Sequence, residues 1–198
     1  MRNVLLCLFA FVAIGTWIPD SHADVYISGS LGAVVVNDSD TDDGDDTGEF
    51  TFDSGTGYVV ALGAANEAGR VEMEYGYREN DFDELKGLGP GSRDVDGDIN
   101  STSLMLNIYY DFLTKSGFYP FFGVGVGAAS VEADIDNTGD EDDTVFAYQV
   151  MLGGSYTTSI GLSIDLQYRY FATDDPDFDG IDAEYRTHNL MIGLRQSF

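Results

Sequence analysis

Apolar and polar side chains alternate one by one along eight segments of this chain. In residues 70–78, one face carries charged residues or glycine and the other carries Val71, Met73, Tyr75 and Tyr77. A strand sorts alternate side chains onto opposite faces, whereas a helix would scatter these charges around its circumference. The same alternation recurs, with varying strength, in 25–36, 55–65, 101–112, 119–131, 145–156, 162–170 and 189–198. The pattern predicts eight β-strands.

The connections between these segments are alternately short and long. Short connections occupy 66–69, 113–117 and 157–160, and long ones occupy 37–49, 81–98, 132–143 and 172–184. This order is required if one end of a closed antiparallel barrel carries tight turns and the other carries loops. Most of the segments also reach the length of about 9–11 residues that a tilted strand needs to cross a bilayer.

The polar faces carry equal numbers of acidic and basic residues. They hold four arginines and four carboxylates: Arg70, Glu72, Glu74, Arg78, Asp111, Asp165, Arg169 and Arg195. A narrow lumen requires this balance, because buried charges must be paired. Aromatic residues lie on the apolar faces near the strand ends, where interfacial girdles sit. We therefore predict an all-β fold, an eight-stranded antiparallel up-and-down transmembrane β-barrel with a polar, packed lumen. A soluble periplasmic ligand-binding β-barrel, with its apolar face inside, stays open as an alternative.

The first 23 residues have the features of a cleaved export signal. Arg2 supplies a positive start, residues 4–18 are apolar, and Ser21 and Ala23 are small residues at the positions that a signal peptidase recognises. The apolar run is also short for a membrane-spanning helix of about 20 residues. We predict a signal peptide at residues 1–23 and an outer-membrane β-barrel domain at residues 24–198.

Acidic residues outnumber basic ones by 35 to 9, which gives a formal net charge of −26. Such a chain is not expected to bind nucleic acid, because a phosphate backbone requires a basic surface. The four long connections hold 26 of the acidic residues, against only Lys86 and Arg93. The charge therefore gathers at one end of the predicted barrel.

Several strands resemble those of a known family. The segments 106–112, 119–127 and 168–171 are similar to small eight-stranded outer-membrane barrels of the opacity-protein type, including the alphaproteobacterial surface antigens. The terminal strand, ending in Phe198, resembles the signal that the barrel-assembly machinery recognises. The resemblance implies a surface-exposed barrel in a Gram-negative outer membrane, with periplasmic termini, contacts to lipid and lipopolysaccharide, and no common catalytic residues.

The last long connection contains part of a calcium-binding pattern. Acids and glycine fall at the positions of the first half of a calcium loop, and the candidate oxygen ligands are Asp175, Asp177, Asp179, Ile181, Asp182 and Glu184. Arg186 stands where the bidentate glutamate is expected, so an ordinary EF-hand is excluded. Two interpretations stay open: calcium binding by these residues, or a solvated charged surface that needs no cofactor.

These observations predict a protein that is not an enzyme. His188 is the one histidine after residue 23, and it lacks the closely spaced serine of lipid-modifying barrels. We expect a structural, adhesion or antigen role, with a host or environmental ligand bound at the loops. A narrow channel for small molecules, suggested by the glycines at 123–127, is the second alternative.

Overall fold

The computed structural model describes residues 23–36, 40–42, 47–52, 55–66, 69–86, 97–135, 141–174, 177–178, 181–182 and 185–198. Eight long strands form the barrel: β1 (Asp24–Val36), β4 (Gly55–Ala65), β5 (Gly69–Lys86), β6 (Gly97–Asp111), β7 (Phe118–Ile135), β8 (Glu141–Thr157), β9 (Leu162–Thr173) and β12 (Arg186–Ser197). Four short strands lie in the long connections: β2 (Asp40–Asp42), β3 (Thr47–Phe52), β10 (Asp177–Phe178) and β11 (Ile181–Asp182).

The eight long strands close into one antiparallel barrel. Each pairs with its neighbour along the chain, and β12 pairs with β1, with Tyr26 opposite Ser197 and Val36 opposite Thr187. Closure leaves no free edge in the spanning part of the sheet. The predicted eight-stranded up-and-down topology is confirmed. Among the described residues, no helix is long and apolar enough to span a bilayer.

The apolar side chains face outward and the charged ones face inward. Leu31, Leu166 and Leu190 are more than half exposed, whereas Glu74 and Arg169 are 1% exposed. A soluble barrel would have the opposite arrangement, so the soluble alternative is wrong. Each end of the outward face also carries aromatic residues, including Tyr58, Tyr77, Tyr148, Tyr168 and Tyr170 at one end and Tyr110, Phe112, Phe118 and Tyr156 at the other.

The start of β1, the end of β12 and the short connections that follow β4, β6 and β8 lie at one end of the barrel. Gly117 and Gly161 each have φ of +77°, a left-handed conformation that favours glycine because it has no Cβ. Asn66 closes the first turn by accepting from the Gly69 amide through its side chain, at 2.8 Å. We call the opposite end the long-loop end.

The predicted boundaries of three long connections were wrong at this end. β5 and β6 continue into 81–98, β7 and β8 continue into 132–143, and 37–49 contains β2 and the start of β3. In sequence these segments are rich in acidic residues. Ladder hydrogen bonds join backbone groups and form with any side chains, so the sheet continues there.

Candidate functional site

The lumen near the short turns contains a cluster of charges around Arg70. The Arg70 Nε and Nη2 donate to the two carboxylate oxygens of Asp111 at 2.8 and 2.9 Å. Its Nη1 lies 3.9 Å from Glu72 Oε1, which also accepts from the Tyr26 hydroxyl at 2.7 Å. The guanidinium packs over the rings of Tyr109 and Phe121, with its Cζ at 4.4 and 4.7 Å from the centroids.

A second network occupies the middle of the lumen. Arg169 and Glu74 form a two-bond ion pair, one bond of which joins Nη2 and Oε2 at 2.9 Å. Glu74 also accepts from the side-chain amides of Asn107 and Gln149, at 2.9 and 3.1 Å. The pair joins strands β5 and β9 across the lumen, with partners on β6 and β8 that satisfy the remaining carboxylate lone pairs.

Arg195 forms the third ion pair. Its Nε lies 3.1 Å from Asp165 Oδ2, and its Nη2 donates to the Ser155 hydroxyl at 2.9 Å. The structure thus brings seven of the eight charged residues singled out in the sequence into ion pairs inside the barrel.

Arg78 is the exception among these eight residues. It is 2% exposed and donates to the Ser103 hydroxyl at 3.0 Å, while its guanidinium lies 3.8 Å from the centroid of the Phe171 ring. Its Nη2 has no hydrogen-bond partner within the described part of the chain. A desolvated cation–π contact contributes about 2 kcal/mol, less than a buried unpaired charge costs. The alternation placed Arg78 correctly in the lumen but could not indicate its partner.

Large side chains fill the space that the glycines of β7 leave open. A Cβ at Gly123 would lie 2.9 Å from Met151 Cε and against the Tyr109 ring, and a Cβ at Gly125 would lie 3.0 Å from Gln149 Cγ. These glycines therefore make room for side chains from β6 and β8 rather than lining a tunnel. The described lumen contains a cavity of about 20 Å³ beside Arg70, Glu74 and Arg169, enough for about one water molecule.

Apolar side chains fill the lumen towards the long-loop end. The buried cluster comprises Val36, Met105, Ala129, Val131, Ala147, Phe171 and Tyr185. We did not predict this cluster, although continuing the alternation along β6 and β9 places Met105 and Phe171 on the inner face. The lumen is polar in its middle and apolar above it, so the channel alternative lacks an open path through the described residues.

The calcium candidates lie largely beyond what the structure describes. Asp175, Asp179 and Glu184 fall outside the described residues, and the side chains of Asp177, Ile181 and Asp182 are also outside them. The backbone shows Asp177 paired with Asp182 and Phe178 with Ile181 in the hairpin β10–β11. No group of three possible metal ligands occurs among the described side chains. Calcium binding stays a prediction.

His188 and Phe198 both lie on the outer surface. The His188 Nδ1 is hydrogen-bonded to the Tyr168 hydroxyl, and its ring packs beside Tyr170. Phe198 is 79% exposed, and its backbone amide donates to the Val25 carbonyl at 2.9 Å, which ties the last residue to β1.

Comparison with known proteins gives a consistent family match. A family model described as an outer membrane protein beta-barrel domain matches residues 4–198. The outer membrane protein PagN of Salmonella typhimurium is 23% identical, with complete coverage of both chains. A provisionally named adhesin, RC1281 of Rickettsia conorii, is 34% identical over 117 residues. That alignment covers 47% of this chain and 46% of the adhesin, so this chain spans about half the length of that relative.

Two solved structures share the fold. Neisserial surface protein A superposes with a TM-score of 0.64 at 18% identity, covering 90% of this chain and all of that one. Ail of Yersinia pestis, an attachment invasion locus protein solved with the heparin analogue sucrose octasulfate, gives a TM-score of 0.51 at 15% identity. The match covers 88% of this chain and 99% of Ail. At these identities the likeness shows the fold alone.

Proposed function

Because this chain belongs to the family of outer membrane protein β-barrels, we propose that it is a non-enzymatic surface adhesin of the outer membrane. Two observations support this proposal most directly. Strands β5 to β8 extend past the apolar band at the long-loop end, and side chains fill the described lumen beneath them. A filled barrel serves as an anchor, and the extended sheet and its loops supply the contact surface. The Rickettsia relative is named as an adhesin, which supports the adhesion role, and the Salmonella relative is named as an outer membrane protein, which supports the location.

The charge of this surface favours a basic partner. The long connections carry 26 acidic residues against two basic ones, and electrostatic attraction increases association with surfaces of opposite charge. The Ail structure contains a polyanionic heparin analogue. We infer that this chain has the opposite preference, for basic segments of a host or environmental protein.

Binding to immobilised polylysine and to immobilised heparin tests this preference. The folded protein in detergent should bind polylysine, and the binding should weaken as salt rises from 0.05 to about 0.5 M, where the Debye length falls below about 5 Å. A variant with the seven acids of 37–49 changed to Asn or Gln should bind more weakly. A matched variant with the Ser, Thr and Gly residues of the same segment altered should bind as the parent does. Equal binding by both variants, or a preference for heparin, would refute the proposal.

Calcium binding by the last long connection is a second, separable part of the proposal. Clustered carboxylates are the oxygen ligands that calcium prefers, and the 175–184 segment supplies them at calcium-loop spacing. Calcium titration by calorimetry should show a saturable site that is lost in Asp177→Asn with Asp179→Asn and retained in the control Asp38→Asn with Asp40→Asn. If both double variants bind calcium as the parent does, or if no heat of binding is detected, this part fails and the polylysine result stands by itself.

A further inference from the structure

The buried guanidinium of Arg78 lacks a compensating negative charge. Its Nη1 donates to the Ser103 hydroxyl at 3.0 Å, whereas its Nη2 has no hydrogen-bond partner in the described part of the chain. The contact with the Phe171 ring supplies no formal charge. Buried charges are normally paired, because a low-dielectric interior does not replace the solvation that water supplies.

The carboxylates of the described lumen are already engaged by other arginines. The ion pairs join Asp111 and Glu72 to Arg70, Glu74 to Arg169, and Asp165 to Arg195. Glu74 lies two inward positions from Arg78 on β5, but it already accepts from Arg169 and from two side-chain amides. Pairing Arg78 with any of these carboxylates would leave another arginine buried without its counter-charge.

Two buried hydroxyls in the same layer of the lumen also lack a hydrogen-bond partner among the described residues. Ser101 lies directly opposite Arg78 in the register of β5 and β6. Tyr185, next to the start of β12, packs edge-on against the Phe171 ring with centroids 6.3 Å apart, and its hydroxyl lies close to Ser101 and Arg78. This layer therefore contains one N–H donor and two O–H donors that no described residue uses.

Two glycines leave the space that the Arg78 side chain occupies. A Cβ at Gly57, opposite on β4, would lie 3.5 Å from Arg78 Cγ. A Cβ at Gly76, the preceding inward position on β5, would lie 3.3 Å from Nη1 and 3.7 Å from Nη2. The guanidinium thus lies over Gly76, between the Ser103 hydroxyl and the Phe171 ring. Because these contacts fix the side chain, its second amino group is a preorganised donor.

We propose that this layer of the lumen binds one chloride ion, with Arg78 as the charged donor and the hydroxyls of Ser101 and Tyr185 as neutral donors. A water molecule could bond to the same groups, but it would leave the charge of Arg78 uncompensated. A monatomic anion suits the layer better than a phosphate or a carboxylate, because the apolar cluster around Phe171 packs closely there. The ion joins β5, β6 and the start of β12, so it stabilises the barrel beneath the loops.

The test measures the thermal stability of the folded protein in zwitterionic detergent while chloride replaces gluconate. Sodium and ionic strength stay constant at about 0.5 M, where the acidic loops are screened and cation binding by them does not change. Unheated folded barrels migrate differently from unfolded chains in gels, and the readout is the temperature at which half of the protein loses this heat-modifiable mobility. For the parent, this temperature should rise with chloride and then saturate, as expected for a ligand that binds only the native state.

Variants assign the chloride effect to this layer. Arg78→Gln should abolish the chloride dependence, because it removes the charged donor. Ser101→Ala and Tyr185→Phe each remove one hydroxyl and leave every charge in place, so each should raise the half-saturating chloride concentration about two- to tenfold. The matched controls Lys115→Gln and Tyr156→Phe change an exposed cation and an exposed hydroxyl, and both should respond to chloride as the parent does.

Crystals of the parent grown in sodium bromide locate the ion directly. Anomalous scattering should place a bromide ion within hydrogen-bond distance of Arg78. A parent that shows no chloride dependence, an Arg78→Gln variant with the dependence of the parent, or bromide found only elsewhere would overturn the proposal. If Arg78→Gln does not fold, unchanged half-saturation in both Ser101→Ala and Tyr185→Phe would overturn it instead. Failure of polylysine binding would not affect the proposal, because that assay reports on the loops.

Discussion

Glu74 and Arg169 show how a charged pair is tolerated in the middle of a barrel. Both are 1% exposed, and Glu74 accepts from Arg169, Asn107 and Gln149, so its carboxylate is saturated with donors. Desolvating two charges is costly, and the pair offsets that cost only while both partners and their hydrogen bonds are present. The network thus makes each member of the pair depend on the other.

Removing one charge should therefore destabilise the barrel more than removing both. We expect Glu74→Gln to lower the free energy of unfolding by about 3–5 kcal/mol, because Arg169 is left buried without a counter-charge. Glu74→Leu with Arg169→Leu should lose less. Urea unfolding in lipid vesicles measures both, and Glu79→Gln, on the outward face of the same strand, is the control. A double variant less stable than the single one would contradict this account.

Gly125 has no side chain, and this leaves room for the hydrogen-bonded network around Glu74 and Arg169. A Cβ there would overlap the Asn107 Oδ1 and lie 3.0 Å from Gln149 Cγ, and protein interiors are packed too closely to absorb such overlaps without movement. We expect Gly125→Ala to destabilise the barrel by about 1–3 kcal/mol, as overpacking does. Gly29→Ala is the matched control, because the nearest atom to its added Cβ is 3.9 Å away on the outward face. Equal unfolding midpoints for the two variants would show that the lumen can adjust.

At the scale of the strand, Phe198 lies where β12 closes the sheet against β1. Phe198 is exposed on the outside of the barrel, and its amide bonds to β1 where the sheet closes. The resemblance predicts that the assembly machinery recognises Phe198, so we expect deletion of Phe198 to reduce the heat-modifiable fraction in the outer membrane. Refolding in detergent should be little affected. The control is Phe118→Ser, which removes another aromatic side chain at the same end of the barrel. If both variants lose the same heat-modifiable fraction, the effect comes from losing an interfacial aromatic residue and not from the end of the strand.

The alternation in the sequence was sufficient to place the strands and their faces. In β5 from Val71 to Tyr77, every second residue is apolar and faces outward. This alternation predicted both the strand and the inward direction of Glu72 and Glu74. Past Arg78 the outward face no longer needs to be apolar, and the extension of β5 to Lys86 left no comparable signal. Strand pairing there is satisfied by backbone groups, which every residue carries.

The contents of the lumen were predictable only in part. Charge balance indicated paired carboxylates and guanidinium groups, but partner choice depends on the register between strands far apart in sequence, as for Arg169 and Glu74. The glycines of β7 were misinterpreted for the same reason. A glycine facing inward indicates space, and the sequence does not show that Tyr109, Met151 and Gln149 occupy it.

The whole molecule combines a filled barrel with a strongly acidic outer end. Eight strands give an interior just wide enough for side chains to fill, and here the middle is occupied by ion pairs and the region above by an apolar cluster. Among the described side chains, neither layer offers a hydrated path, because ions would have to separate the Arg169–Glu74 pair or cross Met105 and Phe171. This arrangement supports the proposal that the protein acts through what its outer end binds.

Solute uptake provides the test at this scale. Liposomes containing the folded protein should swell no faster in arabinose than empty liposomes, and planar bilayers should show no steady conductance steps, whereas a general porin does both. Arg169→Ala with Glu74→Ala, which removes the central ion pair, should still conduct little, because the apolar cluster at the long-loop end remains. Adding Phe171→Ala and Met105→Ala should open a leak, provided that heat-modifiable mobility shows the barrel still folded. If the parent protein conducts ions as a general porin does, the filled lumen must rearrange in the membrane. The proposed anchoring role would then be wrong, and a transport role would replace it.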